Sequence, residues 1–305
     1  MVKQKGSTTS FVLPLPMHYP QELIFAFHRR DLDSPSEVVS DTHIDKGLLW
    51  QGTPARLSLL FNQDRQVEVS LSLDSGNATQ AEVTALAVHL LGLNQPISTF
   101  EKQFASHPQL GELLCRQQGL YVPQTATAFE ALLWAIIGQQ ISVSAAIAIR
   151  RRLINLTGAR HHSGIGCFPD ALSILGYQET QLRAVGLSQG KAQAILAVSE
   201  QIAAGHLPLD AWLQQTPLPV EEIERQLLAI RGIGPWTVNY TLLRGFAWLN
   251  GSLHGDVAVR RNLQRLLKRE EKLSAKETER WLEQFQPWRA LVAAHLWALQ
   301  STGGF

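Results

Sequence analysis

The hydrophobic period of the chain changes near Thr79, and that change limits the folds open to it. Upstream, the runs ARLSLLF and VEVSLSL alternate apolar with polar residues. In the second run Val67, Val69, Leu71 and Leu73 fall on one side, and Glu68, Ser70 and Ser72 on the other. This is the period of a half-buried strand. The intervening NQDR suits a hairpin, and antiparallel strands with one wet face suit the alternation.

Downstream the period is helical. TQAEVTALAVHLLGL places Val83, Leu86, Ala87, Leu90 and Leu91 on one stripe. Thr127-x-x-Glu130 predicts a capping box ahead of ALLWAII, and Ser274-x-x-Glu277 predicts another ahead of TERWLEQF. GQQIS interrupts the pattern, and VSAAIAIRRRLINL resumes it up to Gly158. GLSQGKAQAILAVSEQIAAG reads as a turn and a helix ending at Gly205. Pro219 suits the first turn of the next helix, and Pro287 the start of the last, PWRALVAAHLWAL. The expected class is α+β, mostly α. A small antiparallel β-rich N-terminal domain (1–100) precedes an all-helical part (101–305) of eight or more helices.

No apolar run approaches the roughly 20 residues that span a bilayer, and the N-terminal stretch lacks a signal-peptide pattern. The expectation is a soluble, cytosolic protein with no membrane partner. Cys115 and Cys167 are the two cysteines. They cannot hold a four-cysteine iron–sulfur cluster and have no zinc spacing. They read as reduced, buried residues, and no cofactor is expected. His161 and His162 are adjacent, have no clustered partners in sequence and suggest no metal.

The net charge is +1, but its distribution is uneven. Residues 1–100 carry 7 Lys/Arg against 10 Asp/Glu, whereas residues 225–269 carry 8 Lys/Arg and one acid, Asp256. A positive field around a lone carboxylate suggests an anionic partner, although solvated helix faces give the same tally.

The segment LLAIRGIGPWTVNYTLLRG lies in that basic region. Two apolar helical runs flank a tight turn, as in a helix–hairpin–helix over about 219–247. Gly232 and Gly234 let a partner approach the main chain, and Pro235 opens the second helix where its missing N–H costs nothing. Amides at that helix start suit a phosphate. By itself the turn is equally an ordinary αα corner.

With HGDVAVRRNL and PWRALVAAHLW following in order, and FEALLWAIIGQQISVSAA and VGLSQGKAQAI preceding it, the chain resembles the helix–hairpin–helix superfamily of DNA base-excision glycosylases. The resemblance covers most of the chain and is strongest to the bacterial alkylation-repair branch, the DNA-3-methyladenine glycosylase II type. It implies a monomeric enzyme that removes alkylated bases from double-stranded DNA. It places the catalytic carboxylate on Asp256, a residue whose position before a helix equally makes it an N-cap. It assigns the base pocket to Trp236, Tyr240 and Trp297, rings that otherwise read as core. Trp236 and Tyr240 are one helical turn apart.

A wedge filling the hole left by a flipped base maps to Gln140 or its neighbour Ile141. Amides near Gly232, Gly234 and Trp236, helped by Thr237, would hold phosphate, and Arg260, Arg261 and Arg265 would add general attraction. Carbonyls of Leu228, Ile230 and Ile233 map to a structural monovalent-cation cradle. Lyase-competent members carry lysine where this chain has Trp236, so the resemblance implies a monofunctional glycosylase. The competing readings are a non-catalytic DNA-binding protein built on the same hairpin and a glycosylase for another lesion class.

Overall fold

The structure, a computed structural model, describes residues 6–299. Five strands, β1 (Thr8–Pro14), β2 (Glu37–Val39), β3 (His43–Trp50), β4 (Thr53–Phe61) and β5 (Gln66–Leu73), form one antiparallel sheet in the order β1-β5-β4-β3-β2. β4 and β5 are the two alternating runs, and Asn62 ties their turn by accepting the amides of Asp64 and Gln66. Val67, Val69, Leu71 and Leu73 are buried as the alternation requires. They pack with Val83, Leu86, Ala87 and Leu90 of the helix Gln80–Leu90 in a first apolar cluster. The class is therefore α+β, with fifteen helices among the described residues. None of them is long and apolar enough to cross a membrane.

A second apolar cluster, from Ile97 to Trp297, fills the helical part. Its axis is Ala128–Gly138, buried along its whole length. The second hairpin helix, Pro235–Phe246, crosses it closely. At Gly245 a Cβ would stand 2.9 Å from Ala128 Cα and 3.1 Å from Ala131 Cβ, so a side chain there would push the two helices apart.

The junction between sheet and helices is polar. Lys46 of β3 donates to Glu37 and to Glu130, 2.8 Å each, and Arg150 lies 3.0 Å from both carboxylates. His28 Nδ1 donates to Glu37 at 2.8 Å. Burial works against both acids, but the Lys46 and Arg150 charges hold them below the usual carboxylate range.

Several expectations change in space. Thr127 caps its helix by accepting the Glu130 amide, but Glu130 does not complete the box: its carboxylate turns to Lys46, Arg150 and the Ala126 amide. The boxes at Ser274–Glu277 and, unforeseen, at Thr79–Glu82 are complete. Pro219 lies just ahead of Val220–Leu228, with a non-helical ψ of 66°. The last helix is Arg289–Trp297, because Trp288, packed on Phe100 and bonded to Gln103, takes the cap. Cys167 is buried, but Cys115 is exposed, since Leu113 and Leu114 take the inner face of its short helix.

The histidine pair does have a partner. Asp74 Oδ1 lies 2.7 Å from His162 Nδ1 and 3.4 Å from His161 Nε2. The Ser163 amide donates to His161 Nδ1 at 3.2 Å, which leaves the ring proton on Nε2, facing Asp74 and Ser72. Hydrogen bonds account for this cluster, which pins the 159–168 loop to the sheet.

Candidate active site

The hairpin forms as its glycines and proline dictate. Gly232 has a φ of +93°, a region costly for other residues, and Gly234 caps the helix that Pro235 opens. The first backbone bond of that helix runs from Val238 N–H to Gly234 O, so the amides ahead of it precede the helical ladder. With the dipole behind them, such amides favour an anion.

Asp256 caps the helix Val257–Leu266, and its Oδ1 accepts the Val259 amide at 2.9 Å. Two indoles converge on the same carboxylate. Trp236 Nε1 donates to Oδ2 at 3.0 Å and Trp297 Nε1 to Oδ1 at 3.2 Å. Three N–H groups from three helices thus immobilise a side chain that is 7% exposed. The cap and the gripped acid are the same residue, so its two sequence readings do not compete.

A cleft of about 1150 Å³ opens beside this carboxylate. Its walls are the turn after Ala128–Gly138, which carries Gln139, Gln140 and Ile141; the hairpin, with Gly232, Gly234, Trp236 and Thr237; and Asp256 with Arg261. Two smaller clefts, about 440 and 510 Å³, lie between β3 and the helices and include none of these residues.

The structure brings most of the sequence-picked residues to this cleft and relocates three. Tyr240 is fully buried, stacked behind Trp236 at 5.4 Å, and is absent from the cleft wall because it faces the core one turn further in. Trp297, 5% exposed, reaches the site through its indole N–H rather than as an open ring face, and Arg244 lies 5.5 Å from its ring. The Thr237 hydroxyl is buried and accepts from Gln139 Nε2 at 2.9 Å, so it has turned to the neighbouring turn rather than outward. Gln140, exposed with a φ of +55°, and the half-buried Ile141 both stand on the cleft rim. Of the three basic side chains on the following helix, Arg261 alone lines the cleft.

Sequence inspection missed Lys191. Its ammonium donates to the carbonyls of Ile137 and Gln139 at the end of Ala128–Gly138. Burial pushes its pKa down. A signal was present: Lys191 lies three residues past the N-cap Ser188, where the helix dipole disfavours a cation. A residue that breaks a local rule in this way points to a tertiary partner.

The description "HhH-GPD superfamily base excision DNA repair protein" matches residues 133–287, about half of the chain. DNA-3-methyladenine glycosylase 2 of Escherichia coli (strain K12) is 29% identical over 190 residues, which cover 62% of this chain and 63% of that protein. The match therefore spans less than two thirds of that relative's length. Among solved structures, a 3-methyladenine DNA-glycosylase from Archaeoglobus fulgidus superposes with a TM-score of 0.78 at 23% identity, covering 94% of this chain and 97% of that one. A Schizosaccharomyces pombe 3-methyladenine DNA glycosylase in complex with abasic DNA gives 0.57 at 22% identity, covering 68% and 100%. The fold agrees with the family match over half of the sequence: the chain belongs to the HhH-GPD superfamily of base excision DNA repair proteins.

Proposed function

We propose that the protein is a monofunctional DNA glycosylase that hydrolyses the N-glycosidic bond of alkylated, cationic purines in duplex DNA and leaves an abasic site. The observation that carries this reading is the Asp256 carboxylate, fixed by two indoles and a helix amide at the edge of a cleft between the wedge turn and the hairpin.

The chemistry needs one acid. O-Glycosidases use a second carboxyl to protonate the leaving oxygen. A purine alkylated on a ring nitrogen already carries the positive charge that makes it a leaving group. As it departs, the deoxyribose becomes oxocarbenium-like, and Asp256 stabilises that cation and orients the incoming water. The damaged nucleotide leaves the stack first. Trp236, half-buried on the cleft wall, offers its face to the cationic base, an attraction of about 0.5–2 kcal/mol. Position 236 holds no lysine, so no Schiff base forms there and the strand stays intact.

The hairpin amides near Gly232, Gly234 and Trp236 hold backbone phosphate, and Gln140 or Ile141 fills the gap left in the duplex. The carbonyls of Leu228, Ile230 and Ile233 fit a structural monovalent cation. Ile230 O accepts only the Ile233 amide among the described residues, which leaves a lone pair to offer. The N-terminal β-rich domain acts as a support for the helical part, and the enzyme works as a monomer in the cytoplasm, on the nucleoid.

The names of the relatives, 3-methyladenine glycosylases of bacteria, archaea and yeast, support the substrate class. The test is incubation with methylated duplex DNA and chromatography of the released base. Free 3-methyladenine from the wild type, released about 10²–10³-fold more slowly by Asp256→Asn, is the expected result. Borohydride trapping of a covalent protein–DNA adduct would overturn the monofunctional assignment.

A further inference from the structure

The turn that carries Gln140 and Ile141 is anchored on both sides. On one side Lys191 Nζ donates to Ile137 O at 2.8 Å and to Gln139 O at 2.7 Å. These carbonyls sit at a helix C-terminus, where the dipole favours a cation. On the other side Gln139 Nε2 donates to Gly232 O at 3.0 Å and to Thr237 Oγ1 at 2.9 Å, both on the hairpin. Between these anchors the chain turns sharply through Gln140, with its φ of +55°. A non-glycine residue held in that region needs surroundings that over-determine it.

We infer that Gln139 and Lys191 are positioning residues that lock the wedge turn to the hairpin, so that gripping the phosphate and presenting the wedge are one mechanical event. The inference rests on the glycosylase reading of the site. Neither residue touches the reacting atoms. Lys191 supplies its charge to carbonyls of the turn, and Gln139 spends both amide protons on the hairpin. Loss of either leaves Asp256 and its indoles in place but frees the turn from the element that sets its height above the duplex. The cost falls on extrusion of a paired base and spares the chemistry that follows.

The experiment compares one alkylated base in two contexts, paired in a duplex and unpaired in a single strand, where extrusion costs little. Single-turnover excision is measured for wild type, Lys191→Met, Gln139→Met and Lys191→Arg. For the two methionine variants, the ratio of paired to unpaired excision is expected to fall about tenfold or more, the scale of losing hydrogen bonds to a charged group or bridging amide. Lys191→Arg, which keeps a cation able to reach both carbonyls, is expected to recover most of that ratio.

An unchanged ratio, or equal losses in both contexts, overturns the inference. So does a loss in Lys191→Met that tracks affinity for undamaged duplex with a salt dependence shallower by about one phosphate, because Lys191 would then be a backbone contact. Failure of the underlying reading looks different: the wild type itself releases no base in either context.

Discussion

Glu130 and Asp256 are both buried acids at helix N-termini, and the molecule holds them by different means. Glu130 lies in the first turn of Ala128–Gly138 and turns its carboxylate to Lys46 and Arg150, in a cluster closed by Glu37 and His28. Asp256 caps Val257–Leu266 and accepts from three neutral N–H groups. Cations cancel the first charge where sheet meets helices, and the wall of the second carboxylate is an accessible cleft. An acid matched by cations has its charge committed to the fold. An acid held, among the described residues, by neutral donors keeps a field that a developing positive charge can use. Burial and capping position do not distinguish the two roles; the identity of the donors does.

Removing one partner tests the contrast most strongly at the junction. Glu130→Leu leaves Lys46 and Arg150 facing Glu37 alone and is expected to cost about 3–5 kcal/mol of unfolding free energy, measured by urea titration, while base excision per folded molecule stays near wild type. Asp256→Asn should do the reverse. Asparagine keeps the cap but sets its NH2 against one indole N–H, so the urea midpoint drops less than for Glu130→Leu, while single-turnover excision falls about 10²–10³-fold, the scale of losing a pre-organised charge. If the Asn variant lost mainly stability, Asp256 would belong with Glu130.

Acid sharpens the difference on the structural side. Burial pulls His89 down to about 4 and His295 down to about 3, and it also lowers His28. Unfolding releases these rings to their ordinary value of 6.5, so between 6.5 and 4 the unfolded chain binds protons that the folded chain does not. Stability is therefore full above about pH 7 and falls as pH drops, by about 2.7 kcal/mol per unit near pH 5 for two such groups. Glu37 and Glu130, held below 4.5, add their loss below that value as pH falls through their folded pKa. Urea midpoints that stayed constant from pH 7 to 5 would contradict this.

The smallest effect concerns a single donor. Trp236→Phe keeps a ring on the cleft but removes one N–H from Asp256, and excision should slow about tenfold or more, with duplex affinity little changed. An equal loss in affinity would show that the indole serves mainly to hold DNA.

Much of this was legible in the chain because it depends on neighbours in sequence. The alternation of VEVSLSL, the stripe from Val83 to Leu91, the glycines before Pro235 and the aspartate before VAVRRNL each specify local geometry within a few residues. The family resemblance brought Trp297 into the same site as Asp256 and Trp236. Where the sequence-level expectations failed, a distant partner had intervened. Glu130 abandons its capping box for Lys46, 84 residues away. Thr237 turns its hydroxyl to Gln139, 98 residues away. Asp74 reaches the histidine pair across 88 residues, and Tyr240 is drawn behind Trp236 by the core.

The sequence by itself determined two of the five strands, β4 and β5, most helix starts and stops, the hairpin and the cap at Asp256. Each follows from backbone sterics and hydrogen bonding over one turn or one pleat. The tertiary structure alone decided which carboxylate is matched by cations and which is left to neutral donors. It also decided which ring faces the cleft and what holds the wedge turn. Those outcomes depend on side chains brought within about 3 Å of one another from remote segments, and no local period encodes that distance.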